Sequence, residues 1–494
     1  MQSKDTADQA DAGKRDSHAL VRTTPGAQGL SAAGILDLLR AMDADGLELH
    51  SFMLARHGQV VAEGWWHPYT EERMHMLHSV TKAFTATGVG LALREGLFGL
   101  DDAVLDYFPE RAHPETPAHL RKMRVIDLLT QTSGHDHGTS GSVWRGISTS
   151  WIDEFMKIPV PHEPGTRFQY SSATSFMLSA LVTRTSGVSL HDYLAPRLFA
   201  PLGMRSVKWD VGPEGINPGG NGASAVTEDL LKLAVLHAAD GVWNGQRILP
   251  EGWVTAAGEG APGRPYGLHW WALPGRPGFY AFGAFGQYGF VFPELGLALA
   301  ITAAVRGSIS RPDVGIPPLV WQYLPQIAAG ADLHNRSEEQ LRDYLSSRKL
   351  SPVHKTTPQL AAAGVNGRRF MAEPNEDDIR SIVLEIEPTC CRLVLEVGNR
   401  KHWISASLDG EWLESRTTLP GAGLHHGYEP AELVTAASGG WSNASEFTLQ
   451  CQYVETAFRD TFVLRFERTA LTLQRSVNVN GAGMHRPLVR AHAI

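Results

Sequence analysis

Cysteine is nearly absent from this chain: Cys390, Cys391 and Cys451 are the only three in 494 residues. Three thiols exclude a disulfide scaffold, and their spacing matches no zinc or redox motif. Neighbours such as Cys390 and Cys391 seldom bridge each other because the geometry is strained, so reduced thiols are expected. No run of about 18 consecutive apolar residues occurs, which argues against a membrane span. The first twenty residues lack the apolar core of a secretory leader; with reduced thiols, this points to a cytoplasmic location. Lysine and arginine form no basic stripe and the formal charge is −8, so nucleic acid is not an expected partner. There is no P-loop, no HExxH and no G-x-S-x-G elbow, which disfavours an α/β-hydrolase. Gly88-Val89-Gly90 falls inside a helical pattern, so it is no dinucleotide fingerprint. Neither a metal nor an organic cofactor is implied.

What is present is enough apolar sequence, 43% of residues against 19% charged, for a large globular core. Residues 1–28 read as a loosely attached arm. From Ala32 the apolar residues Ile35, Leu38, Leu39 and Met42 recur at helical spacing. Leu54–Arg56 and Val60–Glu63 flank His57-Gly58 as a strand pair with a tight turn. Helices are expected near 79–95, 124–132, 150–157, 172–186, 189–199, 227–239 and 250–256, and strands return over 279–306. Strands at both ends of a helical middle suggest an antiparallel sheet whose edges come from distant parts of the chain. That unit is assigned residues 29–330, followed by a linker helix over 331–352. Residues 353–494 read as short strands with period-two character separated by turns, the pattern of a small barrel or sandwich.

The sharpest chemical feature is Ser79-Val80-Thr81-Lys82 at a helix start. Residues three apart share a helix face, so Ser79 Oγ and Lys82 Nζ can meet. A helix N-terminus favours developing negative charge, and a serine becomes a good nucleophile once a base takes its proton. Lysine serves as that base if burial depresses its pKa. Downstream stands Pro164-Gly165-Thr166-Arg167-Phe168-Gln169-Tyr170-Ser171-Ser172, running into an apolar helix. With these blocks the chain resembles the serine β-lactamase and penicillin-binding superfamily, in particular its class C β-lactamase and esterase branch. Gly96–Asp102, Val125–Gly134, Pro201-Leu202-Gly203-Met204, Ala225–Leu230 and residues 243–253 resemble further blocks of that family, so the likeness covers about residues 35–325.

The resemblance implies an α/β (α+β) fold with an antiparallel sheet flanked by helices, and a serine acyl-enzyme mechanism. Ser79 is then the nucleophile, Lys82 its proton acceptor, and Tyr170 a second acid or base that relays a proton to the leaving group. The backbone N–H groups of Ser79 and Ala284 are the expected oxyanion hole. The C-terminal region resembles the lipocalin-like appendages of some relatives.

Two departures from the family pattern bear on substrate. Tyr170-Ser171-Ser172 replaces Y-x-N, and a hydroxyl recovers only part of an amide's hydrogen bonding. The Lys/His-x-Gly position of the family falls on Ala281-Phe282-Gly283, which carries no cation; Gln287 and Tyr288 are alternative neighbours of the site if the register differs. Substrates without a carboxylate beside the scissile bond are therefore favoured. The expected pocket residues are His78, His135, Ser172, Phe282, Gly283 and Gln287. His135-Asp136-His137 is read as a polar rim loop rather than a metal site, and Trp65, Trp66, Trp270, Trp271 and Trp321 are candidates for an aromatic wall. The expected activity is hydrolysis of small esters, amides or peptides. Alternatives are acyl transfer or peptide cyclisation, D-amino-acid peptidase or β-lactamase activity, and a non-catalytic binding or scaffold role. Self-association is left open.

Overall fold

The computed structural model describes residues 19–260, 264–273, 275–309, 311–330, 335–353 and 364–494. Among them a six-stranded sheet contains β1 (Val21–Arg22), β2 (Glu48–Arg56), β3 (Gln59–Trp65), β4 (Phe279–Gly283), β5 (Gln287–Phe292) and β6 (Leu297–Ala304), in the order β1-β3-β2-β6-β5-β4. The β2–β3 turn uses His57 and Gly58 with φ of 49° and 75°, the left-handed pair that a two-residue hairpin needs. The edge strands β1 and β4 come from distant parts of the chain, and the distant segments also meet at the sheet's centre, where β2 pairs with β6 along nearly its whole length. Ser51 and Thr302 hydroxyls close that pair at 2.6 Å.

Residues 1–18 of the expected arm lie outside the described residues. Residues 19–28 depart from that expectation: β1 adds a parallel strand to β3, and Arg22 is clamped between Glu63 and Glu228 at 2.9 and 2.6 Å.

Alternation along the strands sends side chains to two layers. Ala281, Val291, Ala298 and Ala300 face a helical layer with α2 (Thr81–Arg94), α3 (Ser172–Ser186) and α4 (Thr227–Ala238). Tyr280, Phe282, Phe290 and Leu299 face α1 (Ala32–Ala44) and α5 (Ile316–Ala328). Small residues on the first face let α2 and α4 lie close to the sheet, and large ones fill the second. The segment expected as a linker helix, α6 (Asn335–Ser346), belongs to this second layer: Leu341 and Leu345 are buried in it. A Cβ on Gly64 would stand 2.8 Å from Leu345, so the glycine permits that seat.

Ten strands follow: β7 (Arg369–Ala372), β8 (Ile379–Ile386), β9 (Cys390–Val397), β10 (Arg400–Ser407), β11 (Leu413–Thr417), β12 (Leu433–Trp441), β13 (Glu446–Tyr453), β14 (Arg459–Glu467), β15 (Ala470–Val477) and β16 (Val489–Ala493). Their order is β10-β9-β8-β7-β16-β15-β14-β13-β12-β11, and a β10–β12 pairing closes the ring. The region is thus a closed barrel, not a sandwich. Closure removes the free sheet edges that a sandwich leaves. The barrel sits against the first unit without a break in the core. Ala284, Phe285 and Ala304 pack into the barrel's cluster, and Val434, Ala436 and Val454 pack with Trp66 and Tyr69. Tyr69 donates to the Thr456 carbonyl at 2.7 Å, and Arg459 pairs with Glu48 at 2.6 Å.

Candidate active site

Ser79 occupies a single 3₁₀ turn, His78–Val80, that runs into α2. The turn is pinned by Thr81, whose hydroxyl donates to the His78 carbonyl at 2.6 Å and accepts from Ala223 N at 3.2 Å. One turn on, Lys82 is buried, and its Nζ donates to the Gly220 carbonyl at 2.8 Å. The same nitrogen lies 3.2 Å from Ser79 Oγ and 3.2 Å from Ser172 Oγ. Among the described residues no carboxylate is paired with it. Burial alone holds its pKa down, from 10.5 to about 7, because an ammonium is costly to desolvate without a counter-charge. The loop behind it is built for this close approach. At Gly219, φ is +68° and a Cβ would fall 2.3 Å from the Ser175 carbonyl, while the Gly219 carbonyl takes the Thr85 hydroxyl at 2.7 Å.

Tyr170 is delivered by the turn before α3. Gln131 has φ +59°, and its Oε1 accepts from Ser171 N at 2.7 Å and from Thr174 Oγ1 at 3.0 Å. The block around Val125–Gly134 therefore sets the register of the Tyr170-Ser171-Ser172 turn, and Ser171 caps α3. Lys82 Nζ lies 4.7 Å from the centre of the Tyr170 ring. Trp271 stacks on that ring at 5.5 Å, and Tyr266 meets it edge-on at 5.8 Å. Burial raises the Tyr170 phenol well above its ordinary 10, opposed only by a hydrogen bond with Ser79. Burial thus disfavours both the phenolate of Tyr170 and the ammonium of Lys82.

These residues open onto a cavity of about 470 Å³. Its walls include His78, Ser79, Tyr170, Ser172, Phe282 and Ala284, all expected there, and also Gly138–Gly141, Arg145, Asn221, Trp271, Ile309 and His426. Ala284 stands just past the end of β4, and Gly283 lets that strand pass the serine turn, since a Cβ there would be 2.2 Å from the Leu77 carbonyl. A second groove, of about 420 Å³ between β3 and α6, is lined by Arg22, Glu63 and Trp65 among others.

Several sequence expectations require correction. Gly283 backs onto Leu77 and is not on the cavity wall. Gln287 is fully buried between the Ala284 and Ala303 carbonyls, at 3.2 and 3.0 Å, where it ties the β4–β5 turn to β6. Tyr288 lies in the opposite layer. His135 folds beneath the rim, bonded to Ser133 at 2.7 Å and edge-on to Phe155; burial lowers its pKa to about 4. Asp136 is held by Arg167 and by His162, and His137 is exposed. Of the five tryptophans, only Trp271 reaches the cavity among the described residues. Trp65 lines the groove by α6, Trp66 is buried beside the barrel, Trp270 packs on His237, and Trp321 packs on Tyr280 and Phe290.

His426 was not expected, because it lies in the barrel sequence. The segment Gly421–Tyr428 reaches across to the first unit, with Gly427 beside Ser142 and the Tyr428 ring facing the Arg145 guanidinium at 5.6 Å. His269 was also missed. It sits behind the site, bonded to Ser175 at 2.9 Å and to the Leu129 carbonyl at 2.8 Å. Burial, with Lys82 nearby, lowers its pKa to about 3.

A family model, that of beta-lactamase, matches residues 38–315, more than half of the chain. The chain belongs to the beta-lactamase family. Within it, similarity extends to proteins with different named activities. A 6-aminohexanoate-dimer hydrolase of Paenarthrobacter ureafaciens is 26% identical over 220 residues, 42% of this chain and 56% of that protein. The chain thus spans little more than half the length of that curated relative. The esterase EstB of Burkholderia gladioli is 29% identical over 348 residues, 65% of this chain and 81% of that protein. Among solved structures, a candidate 6-aminohexanoate-dimer hydrolase from Bacillus anthracis superposes with a TM-score of 0.52 at 17% identity, covering 63% of this chain and 86% of that one. At that identity the likeness speaks for the beta-lactamase fold alone. No described helix is long and apolar enough to cross a membrane.

Proposed function

We propose that this chain is a serine hydrolase that cleaves carboxylic esters or amides through an acyl-enzyme on Ser79. The observation that carries the reading is the buried, carboxylate-free Lys82 amine, 3.2 Å from Ser79 Oγ. Burial holds the pKa of this amine down to about 7, and its neutral form accepts the serine proton as Oγ attacks the carbonyl carbon. The oxyanion settles between the N–H groups of Ser79 and Ala284. As the tetrahedral adduct collapses, the Tyr170 hydroxyl donates to the leaving group and is reprotonated from Lys82. Water then attacks the acyl carbonyl, gives up a proton to the same pair, and releases the acid and free Ser79. Ala281 offers no cation on the strand face toward α2, so a carboxylate directly beside the scissile bond is disfavoured.

The test is intact-mass spectrometry after brief exposure to p-nitrophenyl butyrate. One butyryl group per chain, absent from Ser79→Ala, is expected. No adduct and no turnover with this ester, a fluorophosphonate or a penicillin would refute the reading and leave a binding role on a hydrolase fold.

A further inference from the structure

Arg145 ends the short helix Gly141–Arg145 and is the one permanently charged side chain on the described cavity wall. Its side chain is only 16% exposed, and Nη2 lies 3.7 Å from Asp210 Oδ2, within ion-pair reach but beyond hydrogen-bond distance. That nitrogen has no hydrogen-bond partner among the described residues. A buried guanidinium left with an unfilled donor is destabilising, and Asp210, whose side chain is 44% exposed, compensates it only in part. The other groups facing it do not help. Tyr428 presents its ring; burial, with Arg145 adding to it, lowers the pKa of His426, and burial, His426 and Arg145 lower that of His78, so neither imidazole supplies a counter-charge. The cavity wall therefore carries one permanent positive charge, which Asp210 offsets only in part.

We infer that Arg145 is the receptor for a carboxylate carried by the substrate, so that the natural ester or amide is anionic, its charge set apart from the scissile carbonyl. A largely buried guanidinium fork on a cavity wall suits a carboxylate by charge and by planar two-point geometry. The inference rests on Ser79 as nucleophile and adds the substrate class that this site selects.

The test compares mono-p-nitrophenyl adipate with its methyl-capped neutral analogue, p-nitrophenyl methyl adipate. In the parent protein, kcat/KM for the anionic ester should exceed that for the neutral one by about tenfold or more, the range for a charged pair in a desolvated site. Arg145→Gln should bring the ratio close to one. Asp210→Asn, which removes the competing carboxylate at a half-exposed position, should raise it. A parent ratio of one or less overturns the inference. So does a ratio that survives in Arg145→Gln while its melting temperature falls, since Arg145 would then only dock Tyr428. Where Arg145→Gln does not fold, Asp210→Asn decides, and an unchanged or lower ratio counts against it. Equal turnover of both esters refutes the inference and leaves the hydrolase reading intact. If neither ester turns over, Ser79→Ala is titrated with the adipate monoester by tryptophan fluorescence: binding lost in Ser79→Ala/Arg145→Gln keeps the receptor, and binding unaffected by Arg145→Gln removes it.

Discussion

Lys82 and Lys232 are both buried lysines on long helices, and their surroundings differ in one respect. Lys232 Nζ donates to the Gly203 carbonyl at 2.9 Å and has Glu228 and Asp229 carboxylates at 3.5 and 3.6 Å. Lys82 Nζ has a carbonyl at a similar 2.8 Å, but its other neighbours are two hydroxyls and an aromatic ring. A carbonyl accepts from either protonation state and favours the ammonium only weakly. The carboxylates favour it strongly, because they reward only the charged form. Burial without them favours the neutral amine, the form that a base requires.

The largest expected effect comes from exchanging each lysine for the near-isosteric methionine. Lys82→Met should reduce acylation of Ser79 by about 10³-fold or more, as loss of a base in a coupled unit does, while thermal unfolding shows no loss of stability near pH 6. Lys232→Met should do the opposite, lowering unfolding free energy by about 3 kcal/mol because Asp229 and Glu228 lose their counter-charge, with acylation per folded molecule kept within a few-fold. Reversed results would break the comparison.

Gly219→Ala should rank second, at about 10²-fold in kcat. The added Cβ meets the Ser175 carbonyl at 2.3 Å, and the neighbouring Gly220 carbonyl is displaced from the amine it accepts from. An unchanged rate would show that the carbonyl cage is dispensable.

The pH profile comes third. A base with a pKa near 7 makes kcat/KM fall about tenfold per unit below 7 and level off above it. Stability has its own sign. The folded chain holds Lys82 neutral above about 7, while the unfolded chain binds the proton up to lysine's ordinary 10.5. The unfolded state therefore carries more protons between those values, and stability rises with pH across that window. Urea midpoints should show this slope in the parent and not in Lys82→Met. The smallest effect belongs to Ser172→Ala, which removes an acceptor from the ammonium. It should shift the midpoint of the profile to lower pH by a few tenths of a unit, and a shift to higher pH would assign Ser172 a different role.

The parts of the site legible in the sequence are those that local spacing determines. Ser79 and Lys82 are three apart on one helical path, and Tyr170 and Ser172 stand in a turn whose chemistry is read from Pro164-Gly165-Thr166. Strand directions were less legible. Gln287 and Gly283 were placed on the wall by proximity in sequence, but the side chain of one points into the sheet junction and the other meets Leu77. His135 directly follows the block that sets Tyr170, yet its ring turns away from the cavity to meet Phe155 edge-on. Arg145, Asn221 and His426 carry no periodicity or motif; a loop, a short helix and a different domain bring them together. The barrel's strands were legible from alternation, whereas its closure depends on a β10–β12 pairing that no local pattern encodes. The segment read as a linker helix showed its charge in sequence but not its two buried leucines.

The pairing of β2 with β6 has a consequence for the order in which this protein can be made. Ser51 and Thr302 touch across 251 residues, so the centre of the sheet closes a very long loop, a slow step for a folding chain. During synthesis Ser79 and Lys82 leave the ribosome long before the strand that completes their platform. A fragment ending before Leu297 carries every residue of the proposed proton relay, but nothing for Glu48–Arg56 to pair with on that side.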